Sequence, residues 1–241
     1  MKRLLLTLLI CAITTSIQAQ NTAYFTGQSS TDGLSSDWSN DLFSIDKKTN
    51  FATALRNDSE NLYMLFQTTD QVAINKLLLA GMTITFKGKT KPKVNAKLEF
   101  PLETVRVQNG QRGQQQAGQR GGQRQAEGEI DRAKLQRERL QRQLGTKNQA
   151  KLKGFSNSNG HLFLADMQDI EMAIGLDEGI EAPTLNYEVK IPITELFGMN
   201  MDWNKISKTN LAINITVNGL DRPSSIGNSG GGAGRGGAGG G

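Results

Sequence analysis

Few side chains in this chain of 241 residues are equipped for chemistry: it holds one His, one Cys and two Trp. His161 follows a turn and has no second His or Cys with which to share a metal or a proton. Cys11 lies in an N-terminal apolar run, so neither a disulfide nor a Cys-His nucleophile is available. No nucleophile elbow, phosphate loop, dinucleotide fingerprint or zinc-protease helix motif occurs. Carboxylates remain. Asp166, Asp169 and Glu171, and then Asp177, Glu178 and Glu181, are the residue type a glycoside hydrolase needs in pairs. Asp169 and Glu171 share the outer face of a predicted strand, however, where solvated acids are ordinary. Asp58, Glu60 and Asn61 form an oxygen-rich turn that could take calcium, but their spacing departs from an EF-hand loop. No catalytic residue, metal or cofactor is therefore expected. Of the two Trp, Trp203 sits in a polar loop at 200–204 and is the best candidate for a ligand-facing ring; the alternative is a plug at the end of a sheet.

The strands that would carry these residues can be read from alternation. Leu62, Met64 and Phe66 alternate with Tyr63, Leu65 and Gln67. Met82, Ile84 and Phe86 alternate with Thr83, Thr85 and Lys87, and Leu98 and Phe100 with Lys97 and Glu99. The pattern recurs at Ile170, Met172, Ile174 and Leu176, at Val189, Ile191 and Ile193, and most cleanly at Leu211, Ile213, Ile215 and Val217. A period of two places one apolar face against a second layer. Turn signals at Asp32-Gly33, Asn57-Asp58-Ser59, Asn159-Gly160 and Asn218-Gly219 separate the runs. One short helix is predicted over 71–80, with Val72, Leu78 and Leu79 as its contacts. The fold class expected is all-β, an antiparallel β-sandwich. Pro192 inside a run marks an edge or a bulge.

Charge divides the chain. Residues 108–153 hold 11 basic and 4 acidic residues, whereas 20–107 with 154–221 hold 13 basic and 19 acidic. A mildly acidic body thus carries a basic insertion. Residues 108–125 contain nothing apolar larger than Ala and are expected to be disordered. Over 127–144 acids come first and bases last, and Gly145 follows, which predicts a helix. Its stripe of Ile130, Leu140 and Leu144 is interrupted by Arg137, and Leu135 points elsewhere, so an exposed or lightly docked helix is expected. Residues 227–241 hold ten Gly in 15 and form a flexible tail. Arg112, Arg120, Arg124, Arg132, Arg137, Arg139 and Arg142 are the candidates for binding an anionic polymer or surface. They lack interleaved aromatics, and no specific nucleic-acid partner is expected.

Lys2 and Arg3 precede an apolar run of about ten residues, too short to span a bilayer, and Ala19 supplies the small residue for cleavage. A signal peptide over 1–19 and export follow; an uncleaved anchor and a lipoprotein at Cys11 are the alternatives. The expected organisation is one sandwich domain over 20–107 and 154–221, with the insertion at 108–153 and the tail at 222–241.

The order of Asp32-Gly33, Asp37-Trp38, Asn57-Asp58 with Asn61-Leu62-Tyr63, and a late Glu188 with Ile191-Pro192 and Leu196 resembles the carbohydrate-binding module family nine-like (DOMON-like) β-sandwich. The resemblance implies an exported, non-catalytic binding or scaffold module at a bacterial envelope, with a glycan as the expected partner. Sugar binders of that family hold a saccharide between aromatic rings. Trp38 matches the Trp of the opening motif, a core residue, which leaves Trp203 for stacking. An interaction protein acting through the basic insertion and a carboxylate-dependent glycoside hydrolase are the alternative functions.

Overall fold

The computed structural model describes residues 13–16, 23–27, 29–46, 49–89, 91, 93–102, 128–177, 183–208 and 210–219. Its strands are β1 (Ile13–Ser16), β2 (Ala23–Tyr24), β3 (Ser44–Asp46), β4 (Phe51–Asn57), β5 (Asn61–Thr68), β6 (Met82–Gly88), β7 (Val94–Phe100), β8 (Gln149–Lys153), β9 (Gly160–Phe163), β10 (Glu171–Asp177), β11 (Thr184–Pro192) and β12 (Leu211–Val217). Among the described residues the α-helices are α1 (Gln71–Ala80), α2 (Gly128–Leu144), α3 (Ile193–Phe197) and α4 (Trp203–Ile206). One sheet runs β1-β12-β6-β7-β8-β9 and the other β10-β11-β5-β4-β2, with β3 also on β4. Pairing is antiparallel throughout except for the short β2–β4 contact. The chain is an all-β sandwich, as its alternation predicts.

The faces turned toward each other are the apolar sets of that alternation. Met82, Ile84, Phe86, Leu98 and Phe100 of one sheet form one buried core with Met64, Phe66, Tyr187, Val189 and Ile191 of the other. The Phe100 and Tyr187 rings are 5.4 Å apart between centroids, joining the two sheets. Each such side chain contributes ~1.5–3 kcal/mol by leaving water.

α1 forms where expected because Asp70 caps it, accepting from Val72 N at 2.8 Å and Ala73 N at 3.0 Å. Its buried face is Ile74, Leu77, Leu78 and Ala80, whereas Val72 is exposed. The helical period, not apolarity alone, chooses the face.

Two boundaries differ from expectation, at β8 and at the end of β11, whereas α2 is lightly docked as expected. Gln149–Lys153, assigned to the insertion, is β8: it pairs with β7 through Leu98↔Leu152 and buries Ala150 and Leu152. The strand is only five residues long and polar at every second position, so it reads as an extension of the basic segment. α2 docks through Leu140, which is buried, with Leu144 packed beside it, while Leu135 is exposed as expected. Pro192 ends β11, an interior strand. β10 reaches only to Lys190 opposite Glu171, so the missing N–H at Pro192 faces no partner strand, and the chain turns there into α3. Ile193 is consequently helical, not extended.

Residues 108–125 and 227–241, expected to lack structure, lie outside the described residues, as do Arg112, Arg120 and Arg124. Among the described residues no helix is long and apolar enough to cross a membrane. Residues 13–16, within the expected leader, pair with β12 from Ile13↔Val217 to Ser16↔Asn214.

Candidate functional site

β5 runs Leu62-Tyr63-Met64-Leu65-Phe66, apolar on both faces, and both faces are buried. The inner face meets the core. The outer face meets a third layer, the N-terminal segment at 25–43. There Trp38, Ala54, Tyr63 and Leu65 form a second buried cluster, with Phe25, Leu42 and Phe43 packed against it.

Two buried charges hold this layer. Arg56 lies on the outer face of β4, 2% exposed. Its guanidinium is stacked between the rings of Phe25 at 4.0 Å and Trp38 at 3.9 Å, with Tyr63 at 5.6 Å. It also donates to Asp37 O at 2.8 Å and to Asp37 Oδ2 at 3.1 Å, and to Ser29 Oγ. Glu188 lies on the outer face of β11, 1% exposed. Its Oε1 accepts from Trp38 Nε1 at 2.9 Å, and its Oε2 from the backbone N–H groups of Asp32 and Gly33, each at 3.1 Å. Burial pushes the Glu188 carboxyl up to about 7; the donors from Trp38 and Gly33 oppose the shift, and the nearby Asp37 and Asp32 charges add to it. Ser35 completes the attachment, its N–H donating to Asp177 Oδ1 at 3.2 Å. The Asp32-Gly33 turn must be tight at this point. Gly33 has φ of 76°, and a Cβ added at Gly175 of β10 would run into the Gly33 carbonyl oxygen.

Glu195 repeats the device at the other end of β11. It is buried in α3, and its Oε2 accepts from the N–H groups of Asn157 at 3.1 Å and Ser158 at 3.2 Å, while Oε1 accepts from Asn157 Nδ2 at 2.9 Å. Both buried carboxylates are thus committed to holding loops. In the β4–β5 turn, Asp58 Oδ1 accepts from Glu60 N at 2.7 Å and Asn61 N at 2.6 Å, and Oδ2 accepts from the Tyr63 hydroxyl at 2.7 Å. Burial works to raise Asp58, but these hydrogen bonds outweigh it and hold the carboxyl below its ordinary range. Burial and the Asp58 carboxylate push the Tyr63 hydroxyl up to about 12. Protein donors thereby take the oxygens that calcium would need. Among the described residues no group of His, Cys, Asp and Glu is arranged to hold a metal.

The remaining candidates are dispersed. Trp203 opens α4 and is 48% exposed, not a buried plug; Asp202 caps that helix and pairs with Lys205 at 3.1 Å. Met199, on the same loop, is also exposed. Arg139 and Arg142 are exposed on α2, Arg137 is half-buried, and the Arg132 side chain lies outside the described residues. His161 is exposed on β9, just after the turn that opens the strand. Among the acidic runs, Asp166 and Asp169 are exposed, Glu171 pairs with Lys190 at 2.7 Å and Asp177 holds Ser35. Glu178 and Glu181 lie outside the described residues.

Residue type and spacing do not single out Arg56, and Glu188 enters only through the late-strand motif. The available signal was the five-residue apolar run of β5: a strand apolar on both faces requires a layer on each side. The aromatic pair Phe25 and Trp38 is the geometry that stacks on a sugar or a cation, and here the chain's own guanidinium fills it. No family model, characterised protein or solved structure matches the chain.

Proposed function

We propose that this chain is an exported, non-catalytic binding or scaffold module of the bacterial envelope, of the family nine-like sandwich type, with a glycan as its partner. The observation that carries the reading is the exposed indole of Trp203, which opens α4 behind its cap Asp202. An indole held outside the core by a fixed backbone offers a flat apolar face for a pyranose ring. The non-catalytic part of the reading is supported by Glu188 and Glu195, whose oxygens are occupied by loop donors and are not aimed at solvent. A glycan array followed by titration of wild type against Trp203→Ala tests it. Saturable binding weakened by the substitution supports the reading; no binding, or equal affinity, removes it.

The second reading is attachment to an anionic polymer through the basic insertion, favoured by the exposed Arg139 and Arg142 on docked α2. Deleting 108–153 would also remove β8 and Leu140 from the fold. Its test is therefore Arg112, Arg120 and Arg124 replaced by Gln in the full chain, with binding followed across a salt series.

A further inference from the structure

The two sheets differ in their outer faces. The sheet containing β11 and β5 is covered by the N-terminal segment, whereas the outer face of β12-β6-β7-β8-β9 has no buried residue. Registers across that open face place lysines side by side. Lys97 is opposite both Thr85 and Lys153, Lys151 is opposite both Glu99 and His161, and Lys87 is opposite Asn95. All four lysines and His161 are exposed. The β6–β7 hairpin adds exposed Lys89, Lys91 and Lys93 at its tip. Glu99, the only acid in these five strands, is paired with Lys97. Lys87, Lys151 and Lys153 have no carboxylate partner among the described residues. Lysines directly opposite, as Lys97 and Lys153 are, repel one another and destabilise the sheet, a cost that a bound polyanion would relieve.

We infer that this open sheet face is a binding surface for an acidic polysaccharide, a chain carrying carboxylate or sulfate groups along its length. Lysines two apart on a strand are about 6.8 Å from each other, and neighbouring strands are about 4.8 Å apart, so the charges form a flat grid and not a point. Thr83, Thr85, Asn95, Asn214 and Thr216 lie in the same registers and offer hydroxyls and amides to sugar hydroxyls. A nucleic-acid strand is the weaker match. Single-strand binders set aromatics among their cations, and on this face the aromatic is Phe163 at the β9 rim. Lysine is also a point charge without the guanidinium fork that suits phosphate. A membrane surface is weaker still, because threonines stand where inserting apolar side chains are needed. The insertion cannot be the occupant, since it is itself basic. Trp203 lies on α4 and Arg139 and Arg142 on α2, outside these five strands.

The test is titration of the full chain with polygalacturonate, neutral dextran and an oligo-dT strand. Wild type should bind polygalacturonate and not dextran, with affinity falling steeply as salt rises from about 50 to about 300 mM. Lys97→Glu with Lys151→Glu and Lys153→Glu should weaken binding by about tenfold or more and flatten the salt dependence. A set with Gln at the same positions, and melting curves for both, separates lost binding from lost folding. Ile45→Gln, at an exposed position of β3 in the other sheet, should leave polygalacturonate affinity unchanged. Undiminished binding by the folded lysine variants, loss on replacing Arg112, Arg120 and Arg124 alone, equal binding to dextran, tighter binding to oligo-dT, or salt-sensitive self-association in place of polymer binding would each overturn the inference.

Discussion

Trp38 donates its indole N–H to Glu188 Oε1 at 2.9 Å across 150 positions of sequence, and this bond locks the N-terminal layer onto β11. Because the Glu188 carboxyl is raised to about 7 in the fold, the folded chain holds a proton there that the unfolded chain releases near the ordinary carboxylate value. Stability from this group is complete at low pH and is lost as pH rises through about 7. The loss is on the order of 3 kcal/mol. Thermal melts of wild type should therefore fall between about pH 5 and about pH 8. Glu188→Gln should flatten that fall, and should cost ~1–3 kcal/mol at low pH because its amide N–H group faces donors. An unchanged pH slope in the variant would count against the assignment.

Arg56 stacks between Phe25 and Trp38 and bonds Asp37, so its removal empties a slot and leaves a carboxylate without its partner. Arg56→Ala is expected to cost about 3–5 kcal/mol in chemical denaturation. Arg56→Met, which keeps the volume, should cost less. Arg56→Lys should not restore wild-type stability, because an ammonium does not stack as a planar fork does.

Leu140 anchors α2 to the core, whereas Leu135 is exposed on the same helix. Leu140→Ala should destabilise the fold by ~2–5 kcal/mol, and Leu135→Ala should stay within about 0.5 kcal/mol. Hydrogen exchange should show α2 protected in wild type and released in the first variant alone.

The sandwich was legible because a half-buried strand writes its burial into alternate residues, as at Leu211, Ile213, Ile215 and Val217. The third layer was not, because 25–43 follows no period: Trp38 reaches the sheet from a bend, and Leu42 and Phe43 from the end of a single 3-10 turn. Arg56 and Glu188 were hidden for a related reason. A charged side chain at an outward strand position ordinarily meets water, and only the covering layer turns it into an interior group. β8 was missed because five alternating residues beside a basic helix resemble more of the same segment. The lysine grid depends on β7, β8 and β9 being neighbours, and alternation within one strand carries no information about which strand lies beside it.

The proposed export of this chain, with a leader ending at Ala19, gives its own prediction. Mass spectrometry of the exported protein should find Gln20 as the first residue. Cleavage there removes β1 and opens the outer edge of β12, so the amides of β12 on that side should exchange faster in the exported form than in the full-length chain. An intact N-terminus on the exported protein would contradict the leader.

The most direct measurement is titration of the wild-type chain and Trp203→Ala with the tightest-binding glycan from an array, each variant's melting curve recorded alongside. A binding module predicts saturable binding by wild type and a loss of about tenfold in the equally stable variant, as expected for removing a stacking aromatic. The absence of any saturable glycan, or identical affinity in the two proteins, would contradict it.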